Sequence, residues 1–126
     1  MIRLSKEQVI GLHREIIEAT GGIGGLINDS LLDAALSVPL QTFGSKELYP
    51  TTIDKIARTT YGIIKNHPFA DGNKRTATFV MLILLRLNEV NTNLSNADVV
   101  FIGQSVANGT MNQQGIVSFI ISKLLT

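Results

Sequence analysis

The stretch from Ala77 to Leu85 constrains this chain most. It reads Ala-Thr-Phe-Val-Met-Leu-Ile-Leu-Leu, apolar everywhere but Thr78, and Arg86 closes it. Wound into a helix it has almost no polar side, and a helix apolar all round has to be enclosed by other elements. The segment therefore predicts a buried central helix with the rest of the chain packed about it. It is too short to cross a bilayer, which takes roughly 20 residues.

The flanking sequence supplies more helices. Ser5 is an N-cap with Gln8 three residues on, the pattern of a capping box. Val9, Leu12, Ile16 and Ile17 follow at helical spacing, and Gly21-Gly22 stops the run. His13, between Leu12 and Arg14 with no companion ligand near it in sequence, reads as a partly exposed helix residue. A second helix is expected from Asp29 or Ser30 to Val38, ended by Pro39. Residues 39–51 hold Gly44 and Pro50 without a helical period and read as a loop or a short hairpin. A third helix is expected from Thr52 to Asn66, with Ile53, Ile56, Ala57, Ile63 and Ile64 on one face. Pro68 disfavours helical geometry at His67 and ends it. The central helix should then run from Gly72 or Asn73 to about Asn88. Two more are expected at 96–107, capped by Ser95 or Asn96 and ended by Asn108-Gly109, and at 113–125. Val99-Val100-Phe101-Ile102 could pass for a strand, but its flanks suit a helix better. The class is all-α, with room for one small β-hairpin.

Composition narrows the function. The formal net charge is +1, far from the basic excess of a protein that grips duplex nucleic acid by its phosphates. There are no cysteines, which removes disulfides, thiolate metal sites and a cysteine nucleophile. The first residues lack the apolar region of a signal peptide, so the expected location is cytoplasmic. Gly22-Ile23-Gly24-Gly25 follows a helix rather than a strand, which argues for a helix stop and turn over a dinucleotide loop. Asn108-Gly109-Thr110 matches a glycosylation acceptor, which carries no meaning in a cytoplasmic protein.

The chemistry gathers where the central helix begins, at His67-Pro68-Phe69-Ala70-Asp71-Gly72-Asn73-Lys74-Arg75. The first N–H groups of a helix have no internal partner, and the helix dipole adds partial positive charge there. Gly72 lets the backbone turn closely, and Lys74 and Arg75 add two full charges. A phosphate would be bound well at such a point. Asp71 would repel it unless a cation lay between them, and Mg²⁺ binds through one or two carboxylates plus phosphate oxygens. An ordinary imidazole is mostly uncharged near neutral pH, so His67 can accept a proton from a hydroxyl. Base, metal ligand and phosphate cradle are the parts that phosphoryl or nucleotidyl transfer needs. Asp71-Gly72-Asn73 on its own would be an ordinary turn and helix cap; the combination at the mouth of a buried helix is not.

This segment resembles the signature of the Fic/Doc family, H-x-F-x-[D/E]-G-N-[G/K]-R, at every defined position: His67, Phe69, Asp71, Gly72, Asn73, Lys74 and Arg75. The order of helices, and Gly21 to Gly25 ahead of the second, are also similar to the family. The resemblance implies a single Fic/Doc domain over residues 1–126, a compact all-α bundle of about six helices around a central buried helix. It implies that His67 is the general base and Asp71 the Mg²⁺ ligand, with Lys74 as the third catalytic residue. Gly72, Asn73, Lys74 and Arg75 would bind the nucleotide, and Phe69 would anchor the loop in the core. A hairpin flap that receives a target peptide would fall at 42–50, where a plain connecting loop is the alternative.

Two departures bear on the subfamily. Adenylyl-transferring members usually carry glycine at the position of Lys74 and a second arginine at that of Thr78. Lysine with the second arginine missing resembles the Doc, or death-on-curing, branch. That implies a toxin of a toxin–antitoxin pair, passing the γ-phosphate of ATP to a Ser or Thr hydroxyl of a protein, a translation elongation factor in that branch. Transfer of AMP and a catalytically silent binding module are the alternatives. Self-restrained members carry a helix with [S/T]-x-x-x-E-[G/N]. Four residues before Glu7, Glu15, Glu18, Glu47 and Glu89 stand Arg3, Gly11, Arg14, Phe43 and Leu85, so this sequence holds no such helix. By the same resemblance, restraint would come from an antitoxin whose flexible tail folds on binding.

Overall fold

The computed structural model describes residues 1–125; the last residue of the expected 1–126 domain lies outside the described residues. Six helices and one hairpin follow in order. Helix α1 (Lys6–Thr20) opens on the expected capping box: the Ser5 hydroxyl accepts from the Gln8 N–H at 3.1 Å and the Gln8 side chain accepts from the Ser5 N–H at 2.8 Å. Such a cap contributes about 1 kcal/mol. Helix α2 (Asp29–Ser37) is capped by Asn28 and passes into a 3₁₀ turn over Val38–Leu40, where Pro39 stands one residue beyond the expected end.

Of the two readings of residues 39–51, the hairpin is the one observed, over residues 42–47. Strands β1 (Thr42–Phe43) and β2 (Lys46–Glu47) are antiparallel, with Thr42 opposite Glu47 and Phe43 opposite Lys46. Every strand residue is exposed, and Phe43 is 82% so. The hairpin is tied down from the next helix. The Lys55 ammonium, on a buried side chain, meets the Glu47 carboxylate at 3.0 Å and donates to the Tyr49 carbonyl. The Arg58 Nε donates to the Tyr49 hydroxyl at 3.1 Å.

Helix α3 (Thr52–Asn66) and helix α4 (Asn73–Leu87) make the centre. Their inward faces join Ile56, Ile63, Val80, Met81 and Leu84 to Val9, Leu32, Ile102 and Ile120 in one core. The α4 run is not enclosed on every side: Phe79 is 48% and Leu82 37% exposed. Helix α3 shares the central role, packing on α2, α4 and both helices that follow, α5 (Asn96–Ala107) and α6 (Gln113–Ser122). Ser95 caps α5 with a capping box to Asp98. The last helix stops at Ser122, short of the expected 125. The Lys123 carbonyl accepts from Asn93 and the Leu125 N–H donates to Asn91, so the tail leaves the helix to pair beside Thr92. Among the described residues no helix is long and apolar enough to cross a membrane.

Candidate active site

Helix α3 ends where Pro68 requires. The His67 N–H still donates to the Ile63 carbonyl at 3.3 Å, but His67 itself is left-handed, at φ 52 and ψ 54. For a residue with a Cβ that conformation costs roughly 1–2 kcal/mol. It turns the chain sharply and leaves the imidazole exposed at the rim of a cleft.

The loop after it is templated by the segment that follows α1. Pro68 accepts from the N–H groups of Ile27 and Asn28 at 2.9 and 3.0 Å, and the Ala70 N–H donates to Gly25 at 3.0 Å. Leu26 and Phe69 face each other in an antiparallel bridge. Phe69 is fully buried, the anchor that the resemblance implies. The His13 ring lies flat on it, with ring centroids 3.8 Å apart and planes 8° from parallel. The His13 Nε2 sits 2.8 Å from the backbone oxygen of Asp71. His13 is only 3% exposed, which corrects its reading as a partly exposed residue. The signal was in the spacing: His13 lies four residues after Val9 and four before Ile17, on the stripe those residues define.

Gly72 turns into α4 at φ 76, a conformation that favours glycine. A Cβ there would meet Ile17 at 3.0 Å. The first intrahelical bond of α4 runs from Thr76 to Gly72 at 2.9 Å. The N–H groups of Asn73, Lys74 and Arg75 come before any intrahelical acceptor, so they are donors of the kind that can bind an anion at a helix start. The Lys74 and Arg75 side chains are exposed beside them. Arg75 also donates to the Thr20 hydroxyl, tying the start of α4 to the end of α1. The Asn73 side chain behaves differently from the expectation that it holds phosphate. It is buried and bonded to the Phe69 backbone, which leaves only its N–H to meet an anion.

Asp71 faces the cleft through a half-buried carboxylate. One oxygen accepts from the Gly72 N–H at 2.8 Å and the other from Ile23 at 3.3 Å. These two donors, Gly72 first, hold its pKa below the usual carboxylate range. Two carboxylate oxygens offer about four lone-pair sites, so room remains for a cation. A lone carboxylate next to an anion cradle suits Mg²⁺, which completes its shell with phosphate and water oxygens. Gly22 makes the close approach possible: a Cβ on it would lie 2.6 Å from Asp71 Oδ2. Gly22 and the Ile23 N–H thus cradle Asp71, in addition to the helix stop that the run provides.

The cleft measures about 830 Å³. Its lining joins His67, Asp71, Gly72, Lys74, Arg75 and Thr78 to Val99, Val100, Gly103 and Gln104 of α5. The expected site residues therefore share one cavity.

A model of the Fic/DOC family matches residues 3–85. The chain belongs to the Fic/Doc family. The matched span reaches from just ahead of α1 almost to the end of α4 and contains the whole loop from His67 to Arg75, while the α5 wall of the cleft lies beyond it. This Fic/Doc chain is also similar to a protein named Toxin Doc from Mycolicibacterium smegmatis, at 37% identity over 84 residues. That alignment covers 63% of this chain and 65% of the toxin, and it places the likeness on the Doc side of the family.

Proposed function

We propose that this chain transfers the γ-phosphate of ATP to a Ser or Thr hydroxyl of a protein target, acting in the cytoplasm as a toxin that an antitoxin restrains. The observation that carries the reading is the meeting of an exposed imidazole and the open N-terminus of α4 in one cleft. His67 stands where it can take the proton of the incoming hydroxyl. The bond formed joins that oxygen to the γ-phosphorus, the bond broken releases ADP, and the proton ends on His67. The N–H groups at the start of α4 hold the phosphates, with Lys74 and Arg75 countering the charge that develops. Asp71 would hold Mg²⁺, which when bound neutralises phosphate charge.

The choice of the γ-phosphate rests on Lys74 and Thr78. The Thr78 hydroxyl donates to the Lys74 carbonyl at 3.0 Å, and its side chain is buried, so nothing there replaces an arginine. Lys74 fills the phosphate loop where adenylylating relatives keep glycine, which favours presenting the terminal phosphate. A translation elongation factor is the target that the Doc resemblance favours, and an antitoxin tail that folds on binding is the partner. Incubation with ATP labelled separately at the α- and γ-phosphates, with elongation factors present, tests this. Label from the γ-position alone is expected. Label from the α-position means AMP transfer, and no label with retained ATP binding means a silent binding module.

A further inference from the structure

We propose that His13 is a positioning residue of the catalytic loop: through one N–H it fixes the peptide of Asp71, and through its ring it fixes Phe69. The inference rests on the reading of residues 67–75 as the catalytic loop. A carbonyl oxygen only accepts hydrogen bonds, so at 2.8 Å from the Asp71 oxygen the His13 Nε2 carries the proton. The peptide so held joins the residue with the cleft carboxylate to the glycine that starts α4. Its rotation would move the carboxylate and the first anion-binding N–H groups together.

Packing makes the hold specific. The stacked Phe69 ring fixes the plane of the imidazole, and the Phe69 backbone exchanges two bonds with the Asn73 side chain on the far side of the turn. A Cβ on Gly72 would lie 3.7 Å from His13 Nε2, so the ring lies directly beneath the turn. An aliphatic side chain could fill this volume; only a donor at this reach can also hold the carbonyl. His13 does not line the cleft, so it acts through Asp71 and not on substrate.

Two substitutions separate packing from positioning. His13→Phe keeps a stackable ring without the donor, and His13→Gln keeps a donor of similar reach without the ring. His13→Phe is expected to lower kcat about 10- to 100-fold, the scale of a small misplacement of reacting groups. KM for the protein target should change less than twofold, and His13→Gln should recover at least part of the loss. Amide hydrogen exchange in His13→Phe should accelerate at residues 69–73 and not along the rest of α1 and α4. In the wild-type protein, ¹⁵N spectra of the imidazole should show the proton on Nε2. A bare Nε2, wild-type kcat in His13→Phe, or exchange accelerated evenly through α1 and α4 would each overturn the proposal. If His13→Phe does not fold, His13→Gln and the wild-type spectrum decide. If the wild type transfers no group to any target, it is the functional reading that fails, and the exchange and ¹⁵N measurements still decide the role of His13.

Discussion

Asn73 and Phe69 clasp each other twice. The Phe69 N–H donates to the Asn73 side-chain oxygen at 3.0 Å, and the Asn73 side-chain nitrogen donates back to the Phe69 carbonyl at 2.9 Å. Both residues are buried, so no water replaces either bond. The clasp closes the loop between His67 and α4 into a fixed turn. Asn73→Ala should cost about 1–3 kcal/mol for each backbone group left bare. Asn73→Asp keeps the acceptor but loses the donor and sets a buried carboxylate against the Phe69 carbonyl, so it should fold no better than Asn73→Ala and bind ATP no better. Urea unfolding and ATP titration of both variants check this; a wild-type midpoint in Asn73→Ala would show that the clasp does not hold the loop.

His67→Ala should abolish transfer and leave the fold in place. Removing a general base costs about 10²–10⁴-fold in rate. The side chain is exposed, so little packing goes with it. Rates from γ-labelled ATP, set beside the circular dichroism spectrum, provide the check. Full activity in a normally folded variant would take His67 out of the mechanism.

How far the sequence disclosed this site depends on which contacts are local. The capping box at Ser5, the cap at Ser95 and the stop at Pro68 involve neighbours in the chain, and the local sequence predicts them directly. That His67, Asp71, Lys74 and Arg75 share one cleft was legible because they stand in one short run. The support beneath that run was not, because it arrives from α1 and the glycine segment, 48 to 58 positions away in the sequence. His13 shows the limit. Its stripe position was readable, whereas its partner is a backbone carbonyl that no side-chain pattern betrays. The exposed side of α4 failed for a similar reason: an apolar run calls for cover, but only tertiary packing decides whether this chain supplies it.

Asp71 should keep its charge to lower pH than an ordinary carboxylate. The Gly72 and Ile23 N–H groups favour its ionised form, so its folded pKa is depressed. The sign follows from linkage. Its stabilising contribution is complete above the usual carboxylate range and disappears as pH falls through the depressed value. A ¹³C titration of the Asp71 carboxyl should place its midpoint below that of exposed aspartates. Asp71→Asn should remove the pH dependence arising from this group. It should also turn metal-dependent ATP binding into weaker binding that ignores Mg²⁺. Calorimetric titration with and without Mg²⁺ measures this, and the same metal dependence in both proteins would exclude Asp71 as the ligand.

Gly22 tests whether the glycine segment serves the site or only ends a helix. Its φ is +118, where a side chain is strained in any surroundings. Its added Cβ would also stand 2.6 Å from Asp71 Oδ2 and 3.3 Å from the Ile17 methyl. A carboxylate cannot share that space, so Gly22→Ala should push Asp71 off the Ile23 N–H. The expected result is a stability loss of about 1–3 kcal/mol from the backbone, together with weaker Mg²⁺-dependent ATP binding and slower transfer. Gly24→Ala is the control. A Cβ at Gly24 meets nothing within 4 Å, and its φ carries no left-handed strain, so it should stay within about 0.5 kcal/mol of the wild type and bind ATP normally. Thermal unfolding and titration of the two variants side by side give the answer. Equal behaviour would mean that the glycines only stop α1; loss of metal dependence in Gly22→Ala alone would establish that the close approach of Gly22 holds Asp71 ready for the cation.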